Sequence, residues 1–519
     1  MQKRPASGPR CRAEPMPFPG PGVRRAMLVV VVISLAGCAV GPNLHKPDRT
    51  PPAAYNAHPS DLAHYRQRIR WTARQAQSWW MLFHSKTLDK YIRRAMHANP
   101  DLQAARAALR RQQSLIAVAQ GGLSPDITAD ATLSRSRALR AGANGGRSYR
   151  VPGDLYNLML GTLNIRYNAD VFGRQEDLVH AARARAAVGL ANLRQNEVFL
   201  AAAVARAVIS GAAAKAQLEA AVRVTAADGR LLDLLKQEYR LGYQNLQSVE
   251  QQSSITASAS SRIAPLRTQL AEARHALATL LGRAPDSALK MPIMRSLRLP
   301  AVLPTTVPSA LAKQRPDIQA AAAELRVAAA QADVATADLY PRFDITAEIG
   351  KAATSGALFF DPASTLWGIG MGLAAPLYEG GALHARRRAA IDEYEVVRDR
   401  YRATLLNAFR EVADALRALQ GADAAYVQQY RAREAAGKAL HLAEARYRDG
   451  VADYATVLNA EIAYQQDTVA AINGRSLRYL DSTALFLALG AGWRSGHRRS
   501  SLAVRPVRAS TRGAPEGAA

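Results

Sequence analysis

Cys11 and Cys38 are the only thiols in the 519 residues, and both precede the part of the chain that can fold. The body therefore has neither a disulfide framework nor a cysteine-based metal site. Its ten histidines are scattered, with no His-Glu-x-x-His pair to hold a metal and no glycine-flanked serine elbow to present a nucleophile. Adjacent acids such as Asp392-Glu393 fall on a helical surface and read as a solvated face. Trp367-Gly-Ile-Gly-Met-Gly372 has the glycines of a phosphate-cradling loop, but they lie on one face of a strand with no βαβ unit around them. The residue types thus point away from an enzyme, and no cofactor or metal is expected.

Cys38 is the one thiol with a defined chemical context. Arg24-Arg25 leads into the apolar run from Ala26 to Leu35, and Ala36-Gly37 follows, which is a charged region, a short apolar region and a small-residue cleavage site. The apolar run is too short to span a bilayer. Leu35-Ala-Gly-Cys38 resembles the lipobox of a bacterial lipoprotein, which implies a signal peptide over 1–37 and a lipid, palmitate included, on Cys38. Ala39, rather than Asp, implies export to the outer membrane within that resemblance. Residues 1–15 are unusual for a signal peptide, which makes Met16 or Met27 the expected start.

The rest of the chain is a unit of about 200 residues written twice. Pro100-Asp-Leu-Gln-Ala-Ala-Arg-Ala-Ala-Leu-Arg110 returns as Pro316-Asp-Ile-Gln-Ala-Ala-Ala-Ala-Glu-Leu-Arg326, with eight of eleven positions identical. Glu238-Tyr-Arg-Leu-Gly242 is answered by Arg446-Tyr-Arg-Asp-Gly450, and Leu281-Gly282 by Leu489-Gly490. The expected segments are an extended, Pro-rich piece over 38–75, a first repeat over 76–282, a Pro-rich irregular crossover over 283–309, a second repeat over 310–493 and a basic tail, expected to be disordered, over 494–519.

Within each repeat the periods are clear. A helix runs from about Thr87 to Gln120, restarted at Asn99-Pro100-Asp101, where Asn can cap and Pro suits the first turn. Ile127, Ala129, Ala131 and Leu133 then alternate with Thr128, Asp130, Thr132 and Ser134, a strand with one apolar and one polar face. Leu163, Ile165 and Tyr167 form a second such strand; Phe343 to Gly350 and Trp367 to Ala374 form the pair in the second repeat. Gly173 in one repeat and Gly380-Gly381 in the other turn the chain from strand into very long proline-free helices, about Arg174 to Leu241 and about Ala382 to Asp449. These end at Gly242 and Gly450, and return helices follow from about Leu246 to Leu281 and about Tyr454 to Leu489.

Lys plus Arg exceed Asp plus Glu by 26, but six of the basic residues lie in 1–37 and six in the tail, and no basic run alternates with aromatics, so nucleic-acid binding is not favoured. Four amphipathic strands instead fit a membrane barrel, which four strands cannot close. Two chains would supply eight strands and three would supply twelve, and a barrel of about eight is filled by its own side chains. A trimer is therefore the smallest assembly expected to leave a lumen, with the long helices continuing it as a tube. A lipid-anchored coiled-coil scaffold would account for the helices and the lipobox but not for the strands.

Taken together, Val40-Gly-Pro42 after the lipobox, Trp80-Met-Leu-Phe83, Asn99-Pro-Asp-Leu102, Tyr167-Asn-Ala-Asp-Val-Phe-Gly173, Pro376-Leu-Tyr-Glu-Gly-Gly381, Tyr447-Arg-Asp-Gly450 and Ala488-Leu-Gly-Ala-Gly-Trp493 resemble the TolC-like outer membrane efflux proteins. The subgroup they are most similar to is the lipoproteins called NodT, of RND-type efflux systems. The resemblance covers about 38–493. It implies a mainly α protein with a membrane β part: a homotrimeric twelve-stranded outer membrane barrel continued by a periplasmic α-helical coiled-coil tunnel. It also implies an exit duct for drugs or other small toxic compounds, working with a periplasmic adaptor and an inner-membrane transporter. A type I protein-secretion channel is the alternative with the same fold.

Further expectations follow from the resemblance. The adaptor is expected to meet the hairpin tips around Tyr239, Gly242, Tyr447 and Gly450. Related channels carry aspartates just beyond the second tip, in a ring that narrows the periplasmic mouth; here those positions are Thr456 and Asn459. Asp453 and Glu250 are the acids left to form a displaced ring. The lipobox itself yields a direct test: Cys38→Ser should abolish incorporation of labelled fatty acid, and a variant that still takes up label would sink that assignment.

Overall fold

The computed structural model describes residues 41, 42, 44, 67–72, 78–137, 140–144, 147–151, 155–306 and 308–491. Cys38, the signal-peptide region, most of the extended N-terminal segment and the basic tail lie outside the described residues. The strands are β1 (Arg68–Thr72), β2 (Asp126–Arg137), β3 (Arg140–Asn144), β4 (Arg147–Val151), β5 (Leu155–Ala169), β6 (Val302–Thr306), β7 (Arg342–Ala353) and β8 (Thr365–Ala374). The helices are α1 (Lys86–Ala98), α2 (Pro100–Gly121), α3 (Arg174–Arg240), α4 (Leu246–Ser261), α5 (Ile263–Leu280), α6 (Pro308–Gln314), α7 (Pro316–Ala337), α8 (Gly356–Phe359), α9 (Ala382–Arg448) and α10 (Tyr454–Ala488). The chain divides into two units. One holds 41, 42, 44, 111–187 and 323–399, the other 67–110, 188–322 and 400–491 among the described residues.

The first unit contains the sheet. β2, β5, β7 and β8 lie in that order, all antiparallel. Registration carries the period-two pattern across all four strands: Ala129, Leu163, Ile349 and Trp367 form one row, and Ile127, Ile165, Ala347 and Ile369 the next. The other face has the rows Thr128, Asn164, Glu348, Gly368 and Asp126, Arg166, Thr346, Gly370. Among the described residues β2 and β8 have a partner on one side only. The stretch between β2 and β5, about 134 to 157, reads as loop from its Gly, Ser, Arg and Pro content but is mostly strand among the described residues: both neighbours extend into it, and β3 pairs with β4. Its Gly and Arg content hid a hairpin whose pairing is made by backbone.

The second unit is built of helices around an aromatic knot. Trp79, Trp80 and Phe83 are fully buried; Trp79 stacks on Phe486 with ring centroids 5.0 Å apart, and the Tyr479 hydroxyl donates to the Leu297 carbonyl at 2.7 Å. Asn99 separates α1 from α2 as expected, its Oδ1 accepting from the Leu102 amide at 2.9 Å and its Nδ2 donating to the Leu280 carbonyl at 3.2 Å. Arg315 ties the starts and ends of the second repeat together: its guanidinium donates to Asp317 Oδ1 at 2.9 Å, to the Ala488 carbonyl at 2.7 Å and to Glu411.

Two features depart from the sequence reading. The Pro-rich crossover holds β6, which pairs in parallel with β1 and buries Leu303 and Thr305 completely; Pro304 inside so short a run argues against a strand and masked it. The return helix of the first repeat is broken at Arg262 into α4 and α5. Pro265 has no amide to donate and its ring would clash with the residue 261 carbonyl, so α4 ends there and Pro265 sits in the first turn of α5.

In the first unit, Asp177 lies in the first turn of α3, where the helix dipole favours its charge. Burial and the neighbouring Asp333 carboxylate outweigh that and push its carboxyl up to about 6, despite His180 Nδ1 at 3.5 Å. Asp170 adds to the rise, while Glu176 lies 4.0 Å from the other His180 nitrogen. A raised carboxyl binds its proton more tightly in the fold, so its contribution is present at acid pH and is lost as pH climbs from the ordinary value of 3.8 through about 6. Asp177→Asn should therefore gain denaturant midpoint over the parent between those values and hold a constant gain above them; a gain that does not change with pH would refute the assignment.

Candidate functional site: the helical hairpin ends

Each long helix stops in the same way. The Gly242 amide donates to the Tyr239 carbonyl at 3.0 Å and the Tyr243 amide to Glu238 at 2.9 Å. Gly450 donates to Tyr447 at 3.0 Å and Val451 to Arg446 at 2.9 Å. Both glycines have φ of 79° and 70°, the left-handed conformation that lets the last carbonyls be satisfied while the chain reverses. Both return helices are then capped alike: Asn245 accepts from the Ser248 amide at 2.8 Å, and Asp453 from the Thr456 amide at 3.0 Å. The strand-to-helix glycines Gly173, Gly380 and Gly381 also have positive φ, directly before α3 and α9.

Between the two hairpins lies a small core of Leu235, Val249, Tyr454 and Leu458. A polar network runs through it. The Tyr447 hydroxyl donates to Glu238 Oε2 at 2.8 Å and accepts from Gln244 Nε2 at 3.3 Å. The Tyr454 hydroxyl donates to Gln252 Oε1, whose Nε2 donates to the Asp228 carbonyl at 3.1 Å. One turn further, Gln465 Nε2 donates to Glu461 Oε1 at 3.2 Å. Burial raises the carboxyls of Asp228 and Glu461, and the Asp228 and Glu444 carboxylates add to the Glu461 rise by like charge. Burial, then the Glu238 carboxylate, pushes the Tyr447 hydroxyl up to about 12.

The expected mouth residues share one exposed side. Asp453, the cap before α10, and Thr456 and Asn459 on it are all exposed at three-residue spacing, while Tyr454, Val457 and Leu458 are buried. Glu250 is exposed on α4. Asp453 is engaged, since the Thr456 hydroxyl and amide hold its carboxyl below the usual range. Of the expected tip residues, Tyr239 is exposed and Tyr447 is half-buried. The tips add apolar surface that sequence reading did not single out: Leu241, Tyr243 at 80% exposure, Leu246 and Val451. Glu238, Gln252, Asp228 and Glu461 were missed as well. Tyr454 and Glu461, seven residues apart, carry the only sequence signal of that inward face.

Comparison with known proteins bears on both units. The profile of the family described as outer membrane efflux protein matches residues 91–283 and 307–491. The pyoverdine export outer membrane protein OpmQ of Pseudomonas putida is 30% identical over 478 residues, covering 91% of this chain and 98% of that protein. The solved outer-membrane channel OprN is 26% identical with a TM-score of 0.78, covering 88% of this chain and 100% of its own. The outer membrane protein VceC of Vibrio cholerae is 27% identical with a TM-score of 0.73, covering 81% of this chain and 100% of its own.

The network predicts a measurable cost. Tyr454→Phe leaves the Gln252 carbonyl without its donor in a buried site, which should destabilise the helical unit by about 1–3 kcal/mol in denaturant unfolding. A variant within about 0.5 kcal/mol of the parent would show that water replaces the hydroxyl.

Proposed function

Since the chain belongs to the outer membrane efflux protein family, we propose that it is the exit duct of a tripartite pump, carrying small organic compounds from a periplasmic adaptor and an inner-membrane transporter across the outer membrane. The observation that supports this most directly is the sheet: four strands with one apolar and one polar face, whose edge strands are paired on one side only among the described residues. Lipid tolerates no open edge, so β8 of one copy pairs with β2 of the next and three copies close a twelve-stranded barrel. The apolar rows face lipid and the polar rows face the lumen. The family's members are outer membrane channels, which move solutes and perform no chemistry. A lipid on Cys38 anchors each copy beside the barrel. OpmQ, the relative noted above, is a pyoverdine exporter by name; small organic solutes are accordingly the proposed cargo, in preference to secreted proteins.

The adaptor docks on the hairpin ends, where Leu241, Tyr243 and Val451 leave apolar surface uncovered around Gly242 and Gly450. Gly450→Leu places a side chain in the left-handed region at about 1–2 kcal/mol and should impair resistance while leaving barrel insertion intact; loss of insertion would refute the tip assignment. The mouth is closed by packing and neutral hydrogen bonds around Thr456 and Asn459, with Asp453 occupied as a cap.

Planar-bilayer conductance tests duct and mouth together. The purified protein should open discrete pores, and a scaffold would open none. Micromolar trivalent cation on the periplasmic side should leave that conductance nearly unchanged, and Asn459→Asp should create a block. Strong block of the parent would instead reveal an acidic ring at Asp453 or Glu250.

A further inference from the structure

The connection between β7 and β8 lies on the apolar face of the sheet, and two independent contacts place it there. Gly161 occupies the same face as Leu163 and Ile165, and a Cβ built on it would meet the Phe359 ring at 3.1 Å. Lys351, on the same face as Ile349, donates from Nζ to the Asp361 carbonyl at 3.1 Å. The connection is also preformed. Its short helix α8 is followed by a turn in which Asp361 Oδ1 accepts from the Ala363 amide at 2.8 Å and the Ser364 hydroxyl donates to the Phe359 carbonyl at 2.9 Å. Phe359 therefore covers the strand ends, and its neighbours are left projecting: Phe360 is 81% exposed and Leu358 51%.

Position along the strand says what these side chains meet. From Phe343, at one end of β7, to Ala353, at the other, is ten residues, about 33 Å of strand and, at a tilt of about 40°, about 25 Å of height. That is the height of a barrel's apolar band, which ends in aromatic girdles at both interfaces. Tyr167 and Phe343 stand at one end of the apolar face; Trp367, 76% exposed, stands near the other. A lumen lid would have to lie on the polar face, which the two contacts exclude. Bare apolar groups beside a cation at the end of a lipid-facing surface fit the boundary between acyl chains and anionic headgroups.

We propose that the β7–β8 connection is a membrane-interface anchor, with Leu358 and Phe360 inserted at the acyl–headgroup boundary of the outer leaflet. It rests on the barrel reading. It leaves the lumen mouth clear of this connection and fixes the height of the channel in the membrane, giving Leu358, Phe360 and Lys351 a role separate from export chemistry and from trimer contacts.

The test uses nitroxide labels on the full chain in vesicles of phosphatidylcholine and phosphatidylglycerol, with the parent carried through labelling as background. Phe360→Cys and Leu358→Cys report on the anchor, Trp367→Cys on the lipid-facing strand surface and Tyr243→Cys on water. Collisions with dissolved oxygen should exceed those with a water-soluble nickel chelate severalfold at 360 and 358, as at 367 and in contrast to 243. Labels at 360 and 358 that respond mainly to the nickel chelate while 367 responds to oxygen would overturn the anchor. A label at 367 that itself behaves like 243 would fail the barrel reading instead, and the two failures are thus distinct. Phe360→Ser with Leu358→Ser should leave trimer assembly and pore conductance unchanged yet move the Trp367 label severalfold toward the chelate.

Discussion

Lipid offers a backbone amide no hydrogen bond, and the architecture answers that constraint. Among the described residues the β2–β5–β7–β8 sheet satisfies its three internal seams and leaves two open. In hydrocarbon each open seam would strand a row of amides and carbonyls at a cost of several kcal/mol per group, far more than a folded domain has to spare. A single copy of this sheet is therefore not a membrane structure, and closure by further copies is a condition of insertion. The three glycines on the polar face of β8, at 368, 370 and 372, matter in that light. Three successive positions without side chains, between Leu366 and Ala374 on that face, bring little bulk toward the lumen, so closing the ring does not also fill it.

The helical part solves a different problem, how to end long helices without orphaned carbonyls. Four helix ends in this unit use one device: the glycine bonds of Gly242 and Gly450 are repeated at Gly282, which donates to Thr279 at 3.0 Å, and at Gly490, which donates to Leu487 at 2.9 Å. Those four positions are two pairs related by the internal duplication. At these positions the duplication keeps a residue that the backbone itself requires, whereas side chains that only fill space differ between the halves even within the repeated helix, as at Leu102 and Ile318.

That distinction explains what could be read from the sequence. Strand faces were legible because a period of two leaves no ambiguity once Ile127 to Ser134 alternates, and registration then follows. Asn99, Gly242 and Gly450 were legible because capping and reversal demand those residue types. β6 was not, since its pairing with β1 is a backbone event 234 residues apart and Pro304 points the other way. The break at Arg262 was legible in principle: Pro265 three residues later is its cause, and the Ser-rich run before it adds little helix propensity to oppose the break. The hairpin network was illegible for a third reason. Tyr454 and Gln252, or Tyr447 and Glu238, sit more than 200 residues apart, and nothing in either local pattern names the partner.

The two halves of the duplication also explain Asp453. Its counterpart in the first repeat is Asn245, and the residues they cap, Thr456 and Ser248, are counterparts too. A neutral amide caps one return helix as well as a carboxylate caps the other, so the capping role does not itself require an acid there. What the carboxylate adds is strength: charged acceptors make the stronger bonds at a helix N-terminus. With its oxygen committed to the Thr456 amide and hydroxyl, the charge is partly neutralised by donors of its own helix. Three such carboxylates around an axis would repel one another less, and attract a multivalent cation less, than three unengaged ones. The same residue serves as a cap in the single chain, and in the proposed ring one of its oxygens would already be engaged by its own helix.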